Sequence, residues 1–92
     1  MKFVFEKPYT FEGKEYSEVI LDLDGMKAED TEAAAEQAEL MVGQNKSFAR
    51  GQASFLVCVM AKASKLPVEF FKGLPAREYL RLKGQVNAFL FL

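Results

Sequence analysis

The sequence predicts an α+β domain: an N-terminal antiparallel β-hairpin packed on a small bundle of about three helices plus a short helical turn. Three observations carry this. Strand-favouring aromatic and β-branched residues crowd residues 1–23 around one Gly-containing turn. From residue 27 onward, Ala-, Glu- and Gln-rich and then apolar stretches follow helical spacing. Gly and Pro punctuate these stretches at the places where helices end and begin. Ninety-two residues suffice for one domain and leave little room for a second core, so 1–92 is read as a single domain with a hairpin (1–23) and a helical part (27–92).

In the hairpin, Phe3, Phe5, Tyr9 and Phe11 form the first run, and Tyr16, Val19, Ile20 and Leu21 the second. Glu12-Gly13-Lys14 supplies the turn, with Gly13 free to adopt positive φ. Phe3, Phe5 and Phe11 fall on odd positions, which predicts one strongly apolar face. Pro8 lacks a ladder N–H, so its strand should lie at an edge or bulge there. A lone two-stranded hairpin is marginal in water, so the helices must cover that face. Asp22-Leu23-Asp24-Gly25 ends the hairpin. Its likeness to a calcium loop fails on spacing, because Met26 and Lys27 stand where an acid and the Gly belong. It is read as a turn.

Ala28–Val42 is predicted to be helical, with Glu29, Asp30 and Glu32 near its start, where the helix dipole favours anions. Its apolar face draws on Ala with Leu40 and Met41, and Gly43 suits the position past its end. Gly43-Gln44-Asn45-Lys46 is a connector. A second helix is expected over about 52–64, with a start as early as Ser47 and Gly51 as a weak point. Phe55 to Ala61 is apolar all round, the mark of a buried central helix. Cys58 lies inside it as a structural thiol. Leu66 to Gly73 reads as a short helical turn with Pro67 at its first position. A last helix should run from about Pro75 to Phe89, burying Tyr79, Leu82, Val86, Phe89 and Leu90 as one stripe, with Gly84 interrupting it.

The chemistry inventory is thin. The chain has no His, no Trp and a single Cys. The commonest general base and metal ligand is therefore missing, and no intrachain disulfide can form. No phosphate loop, dinucleotide fingerprint, zinc spacing or activated nucleophile can be assembled, so no catalytic, cofactor-binding or metal-binding residue is assigned. The protein is expected not to be an enzyme. The opening apolar run is too short for a signal peptide. The longest apolar run, seven residues, falls far below the roughly 20 needed to span a bilayer, so a cytoplasmic location is expected.

Charge is divided. Residues 1–45 carry eleven Asp/Glu and four Lys/Arg, whereas residues 46–92 carry eight Lys/Arg and two Asp/Glu. The basic residues are dispersed singly and match no nucleic-acid reader, so the halves are expected to fold together and complement each other. Nine Phe and four Met are more soft apolar material than so small a core easily hides. Phe70, Phe71, Phe91 and Leu92, in a linker or at the end of the sequence, are the best candidates for contacts with another protein, and a domain this small often self-associates.

The order of these segments resembles a known family. Pro8-Tyr9-Thr10-Phe11-Glu12-Gly13-Lys14-Glu15 is similar to the "P-x-T-F-x-G-K-E" hairpin of the tail assembly chaperones of long-tailed bacteriophages and prophages. Gly25-Met26-Lys27-Ala28-Glu29-Asp30 is similar to that family's first helix start. Ala61-Lys62-Ala63-Ser64-Lys65-Leu66-Pro67-Val68-Glu69-Phe70-Phe71 with Leu74-Pro75-Ala76-Arg77-Glu78 resembles its "A-K-A-S-x-L-P-x-E-x-[LF]…L-P-A-x-[DE]" linker, and Val86-Asn87-Ala88-Phe89-Leu90 its "V-x-x-F-L" close. The likeness spans essentially the whole chain. Departures are Lys27, where a Ser or Thr cap is expected, and Gly51 and Gly84 inside helices. The resemblance implies a chaperone that binds the helical tape measure protein in the cytoplasm of the infected or lysogenic host. It would keep that client soluble, help recruit tail tube protein, and leave before the virion is complete. A small structural tail or connector protein retained in the virion is the alternative.

Overall fold

The computed structural model describes residues 1–42 and 48–91. It has the expected α+β architecture, with strands β1 (Lys2–Phe11) and β2 (Lys14–Ile20) followed by helices α1 (Ala28–Val42), α2 (Phe48–Ser64), α3 (Val68–Lys72) and α4 (Ala76–Phe91). The proposed connector at 43–46 lies outside the described residues.

The strands pair antiparallel through a two-residue turn in which Glu12 (φ 50) and Gly13 (φ 80) are both left-handed. A turn of that hand matches the natural twist of the two strands. Between Val4 and Tyr9, β1 advances five residues while β2 advances two, from Glu18 to Tyr16. Pro8 lies inside this bulge, where no ladder N–H is required of it. Phe3 before the bulge and Phe5 within it are buried, and Phe11 after it packs against the core.

The hairpin's apolar face meets the helices. Asp22 N–H donates to the Ala63 carbonyl at 2.9 Å, tying the hairpin's end to α2. Leu56, Val57, Cys58, Val59 and Met60 are consecutively buried, so this stretch of α2 is enclosed on all sides, and Cys58 Sγ lies 3.4 Å from Met41 Sδ of α1. The helix ends in a Schellman motif: Leu66 N–H donates to the Ala61 carbonyl at 3.2 Å while Lys65 takes φ 61. Pro67 is the N-cap of α3 and not its first helical residue. Its carbonyl still accepts from Phe70 N–H at 3.0 Å.

Lys27, which cannot cap through its own side chain, is compensated from inside α1. The Asp30 carboxylate reaches back to the Lys27 N–H at 2.9 Å, the reciprocal half of a capping box. At the other end of the hairpin loop, Asp22 Oδ1 accepts from Gly25 N–H at 3.1 Å, which closes the predicted turn.

Two sequence expectations are corrected. Leu40 is 86% exposed, so α1 buries Ala34 and Ala38 with Met41 alongside, and Leu40 projects on the other side. Phe89 is 46% exposed while Leu90 packs partly on the core. Four residues bring a side chain back to within about 40° of Val86, whereas three leave it about 60° off, so Leu90 continues the stripe. The two described ion pairs, Lys2–Glu18 and Glu78–Arg81, each lie within one charge half, while Arg81 of the basic half also donates to the Val4 carbonyl of the acidic half.

Candidate functional site

Of the four residues singled out for protein contact, the structure places Phe70 and Phe71 in the core, fully buried. The segment read as a linker is a helix wedged under the hairpin. Around the Phe70 ring stand those of Tyr16 (4.9 Å between centroids), Phe71 (5.0 Å), Tyr9 (5.1 Å), Phe11 (5.3 Å) and Phe5 (6.4 Å). Most meet edge to face, the favoured geometry for aromatic pairs. Tyr9 Oη donates to the Phe70 carbonyl at 2.8 Å, which satisfies a carbonyl near the end of a helix too short to use it. The physical reason for the correction is demand: an aromatic hairpin face needs a lid, and α3 supplies it. Leu92 lies outside the described residues. Phe91 is 60% exposed on the last turn of α4.

Phe91 belongs to a larger feature. Leu80, Gly84, Ala88 and Phe91 recur at i, i+4, i+8 and i+11, on one side of α4 and opposite its buried Glu78, Leu82 and Val86. All four are exposed, Leu80 by 61%, and the place where a Cβ would stand on Gly84 has nothing within 4 Å. Arg77 and Lys83, three residues to either side of Leu80, flank the stripe. A helix of a folded domain normally turns one apolar face inward and a polar face to water, whereas the outer side of α4 carries these apolar residues beside exposed Asn87 and Arg77. Sequence reasoning passed over Leu80 and Gly84 because it followed the inward stripe alone. The second periodicity was there to be found.

The N-terminal end of this face opens on a cavity of about 300 Å³ under the β1 bulge. Phe5, Pro8, Tyr9, Leu74 and Pro75 give it an apolar lining, and Lys7 and Arg77 stand at it as cations. Arg77 is thus shared by the cavity and the flank of the α4 stripe. Such a surface can seat an apolar side chain of a bound segment, with the helical stripe continuing the contact.

Behind the cavity, a polar clasp holds α4 to the hairpin. Met1 and Leu21 exchange both backbone hydrogen bonds, at 2.7 and 2.8 Å, so alternate residues of β1 face β2 and Val4 and Glu6 turn theirs outward. Glu78 Oε2 accepts from Glu6 N–H at 2.8 Å, and Arg81 Nη2 donates both to the Val4 carbonyl (2.9 Å) and to Glu78 Oε1 (2.8 Å). The guanidinium lies 4.5 Å from the Phe3 ring centroid. Burial alone would push the Glu78 carboxyl up, but the hydrogen bonds from Arg81 and Glu6 and the Arg81 charge outweigh it and hold the group below its ordinary value. The outer edge of β1 is thereby occupied by side chains of α4, which blunts an exposed strand edge.

The remaining titratable groups belong to packing. Burial pushes the Cys58 thiol up, with Lys72 and Lys62 opposing, so it stays protonated and weakly nucleophilic. Tyr79 is raised by burial, with the Cys58 charge adding to it. Among the described residues no group of three His, Cys, Asp or Glu could hold a metal ion, and no helix is long and apolar enough to cross a membrane.

A buried polar clasp, an aromatic lid and an apolar helix face turned to solvent define a small domain that offers surface for contact with other proteins. A family model described as phage tail assembly chaperone proteins, E, or 41 or 14, matches residues 2–90, and the chain belongs to this family. No curated protein and no solved structure matches it.

Proposed function

We propose that the protein binds the tape measure protein during tail morphogenesis, with the outer face of α4 as its client contact, and leaves before the virion is complete. The observation that carries this reading is that α4 holds Leu80 and Phe91 exposed on the side turned away from its buried stripe, where the fold does not use them. A long helical client with apolar stripes aggregates unless those stripes are covered. A helix face bearing Leu80, Gly84, Ala88 and Phe91 is suited to lie along such a stripe. Gly84 allows close approach of the client backbone, and the neighbouring cavity can take one of its larger side chains. Leu92 follows Phe91 in the sequence and is included in the proposed contact. Phe70 and Phe71 act indirectly, by holding the hairpin in place.

The work takes place in the cytoplasm of the infected or lysogenic host, and tail tube protein is the second expected partner. The role requires no catalytic group. Coexpression with the tape measure protein of the same genome tests the proposal. The client's soluble fraction should rise with this chain present, and an unchanged fraction would contradict the chaperone reading. Stoichiometric recovery of the chain from purified tails would support a retained structural subunit instead.

A further inference from the structure

Two helix faces of opposite charge point away from the core. On α1, Glu29, Glu32 and Glu36 are exposed, and Leu40 continues their side at 86% exposure. On α4, Arg77 and Lys83 flank Leu80, while the one acid of that helix, Glu78, is buried and paired. Arg77 is exposed and Lys83 half-buried, and none of these five charges takes part in either described ion pair. Inside the protein, α1 packs on α2, and α4 on α2 and β1, so the two faces are left outward.

We propose that a second copy of this chain covers the outer face of α4 with the outer face of its own α1. Charge complementarity names the occupant: the exposed acids Glu29, Glu32 and Glu36 match the basic-flanked apolar face of α4. The match is local: with Leu40 over Gly84 and the helices parallel, residues 32–40 lie along 76–84, so the contact covers the N-terminal part of the α4 stripe. Leu40, which has no place in its own core, fits the dimple over Gly84, where a Cβ would meet nothing within 4 Å. With Leu40 seated there and the two helices running in the same direction, Glu36 falls level with Leu80, about 4.5 Å along the axis from Arg77 on one side and Lys83 on the other. Glu32 falls one turn further back, near Arg77. The contact stands on the chain alone, whether or not the tape measure protein is the client. A client on this face would have to displace the second copy.

Sedimentation of the full chain tests this, at a concentration on the order of 100 µM, in about 20 mM and about 500 mM salt. Association is expected at low salt and at least about tenfold weaker at high salt, where exposed charge pairs are screened. The reversed pair R77E/K83E and the reversed pair E32K/E36K should each stay monomeric, and an equimolar mixture of the two should associate again. A monomeric wild-type chain at low salt, or a mixture that fails to associate, would overturn the proposal. Should either double variant fold poorly by circular dichroism, Leu40→Gln gives the same test. It removes only an exposed apolar side chain, and a dimer unaffected by it would equally overturn the proposal.

Discussion

The Glu78 carboxylate accepts the Glu6 amide across the open edge of β1 at 2.8 Å, joining residues far apart in the sequence. Glu6 lies in the bulge at Pro8, where strand pairing is interrupted. The helix that presents the candidate contact face is therefore positioned by the strand's irregularity, and its orientation depends on one charged side chain that is 7% exposed.

Because the folded-state value of Glu78 is depressed, its contribution to stability is fully present above the unfolded value, ordinarily about 4.3 for Glu. It is lost as pH falls through the folded value. Glu78→Gln keeps the volume but forfeits the ion pair, leaving Arg81 without its anion. Unfolding in urea at pH 7 should show a loss of about 1–3 kcal/mol. The variant should also lose less stability than wild type between about pH 5 and pH 3.

The Phe70 ring separates a core role from a surface role. If it is the lid of the hairpin, Phe70→Ala leaves a cavity among five rings and costs about 3–5 kcal/mol. That is a large fraction of the stability of a small domain, so circular dichroism should report a chain partly unfolded at 25 °C. A surface position would show almost no change.

Tyr9 and Gly73 are coupled sterically. A Cβ at position 73 would stand 2.5 Å from Tyr9 Oη, the hydroxyl that bonds to the Phe70 carbonyl. Gly73→Ala should destabilise by about 1–3 kcal/mol, and Tyr9→Phe by about 1 kcal/mol. Combined, they should cost less than the sum, because removing the hydroxyl makes room for the methyl. A double-mutant cycle in urea measures the difference.

Gly84 has opposite consequences for stability and contact. With open space around its missing Cβ, Gly84→Ala should raise helix stability by about 1 kcal/mol, read as a higher melting temperature. The same methyl group fills the dimple in the exposed stripe, so client capture should weaken while the fold is strengthened.

Much of this architecture was legible from residue patterns. The hairpin, its turn at Gly13, the disturbance at Pro8 and the buried run of α2 follow from local chemistry, which tertiary packing had no reason to override. The candidate site was legible only at Phe91. Phe70 and Phe71 sit beside Pro and Gly, and local sequence cannot tell a linker from a wedge; the aromatic hairpin face a whole chain away decides it. Glu78 was hidden because a Glu in a helix's first turn ordinarily faces water. Its partner, a bulged strand amide, is set by tertiary packing. Leu80 was missed, and Leu40 was assigned to the inward face of α1, for a related reason: a periodicity that leads outward has no partner in its own chain to make it noticed.

The central claim is that the outer face of α4 holds the client. Leu80→Glu tests it most directly, since Leu80 is 61% exposed and the change should move stability by no more than about 0.5 kcal/mol. Coexpressed with the tape measure protein, this variant should remain folded and lose the ability to keep the client soluble, at least tenfold below wild type in co-purified client. Full client recovery by folded Leu80→Glu would contradict the assignment of this face.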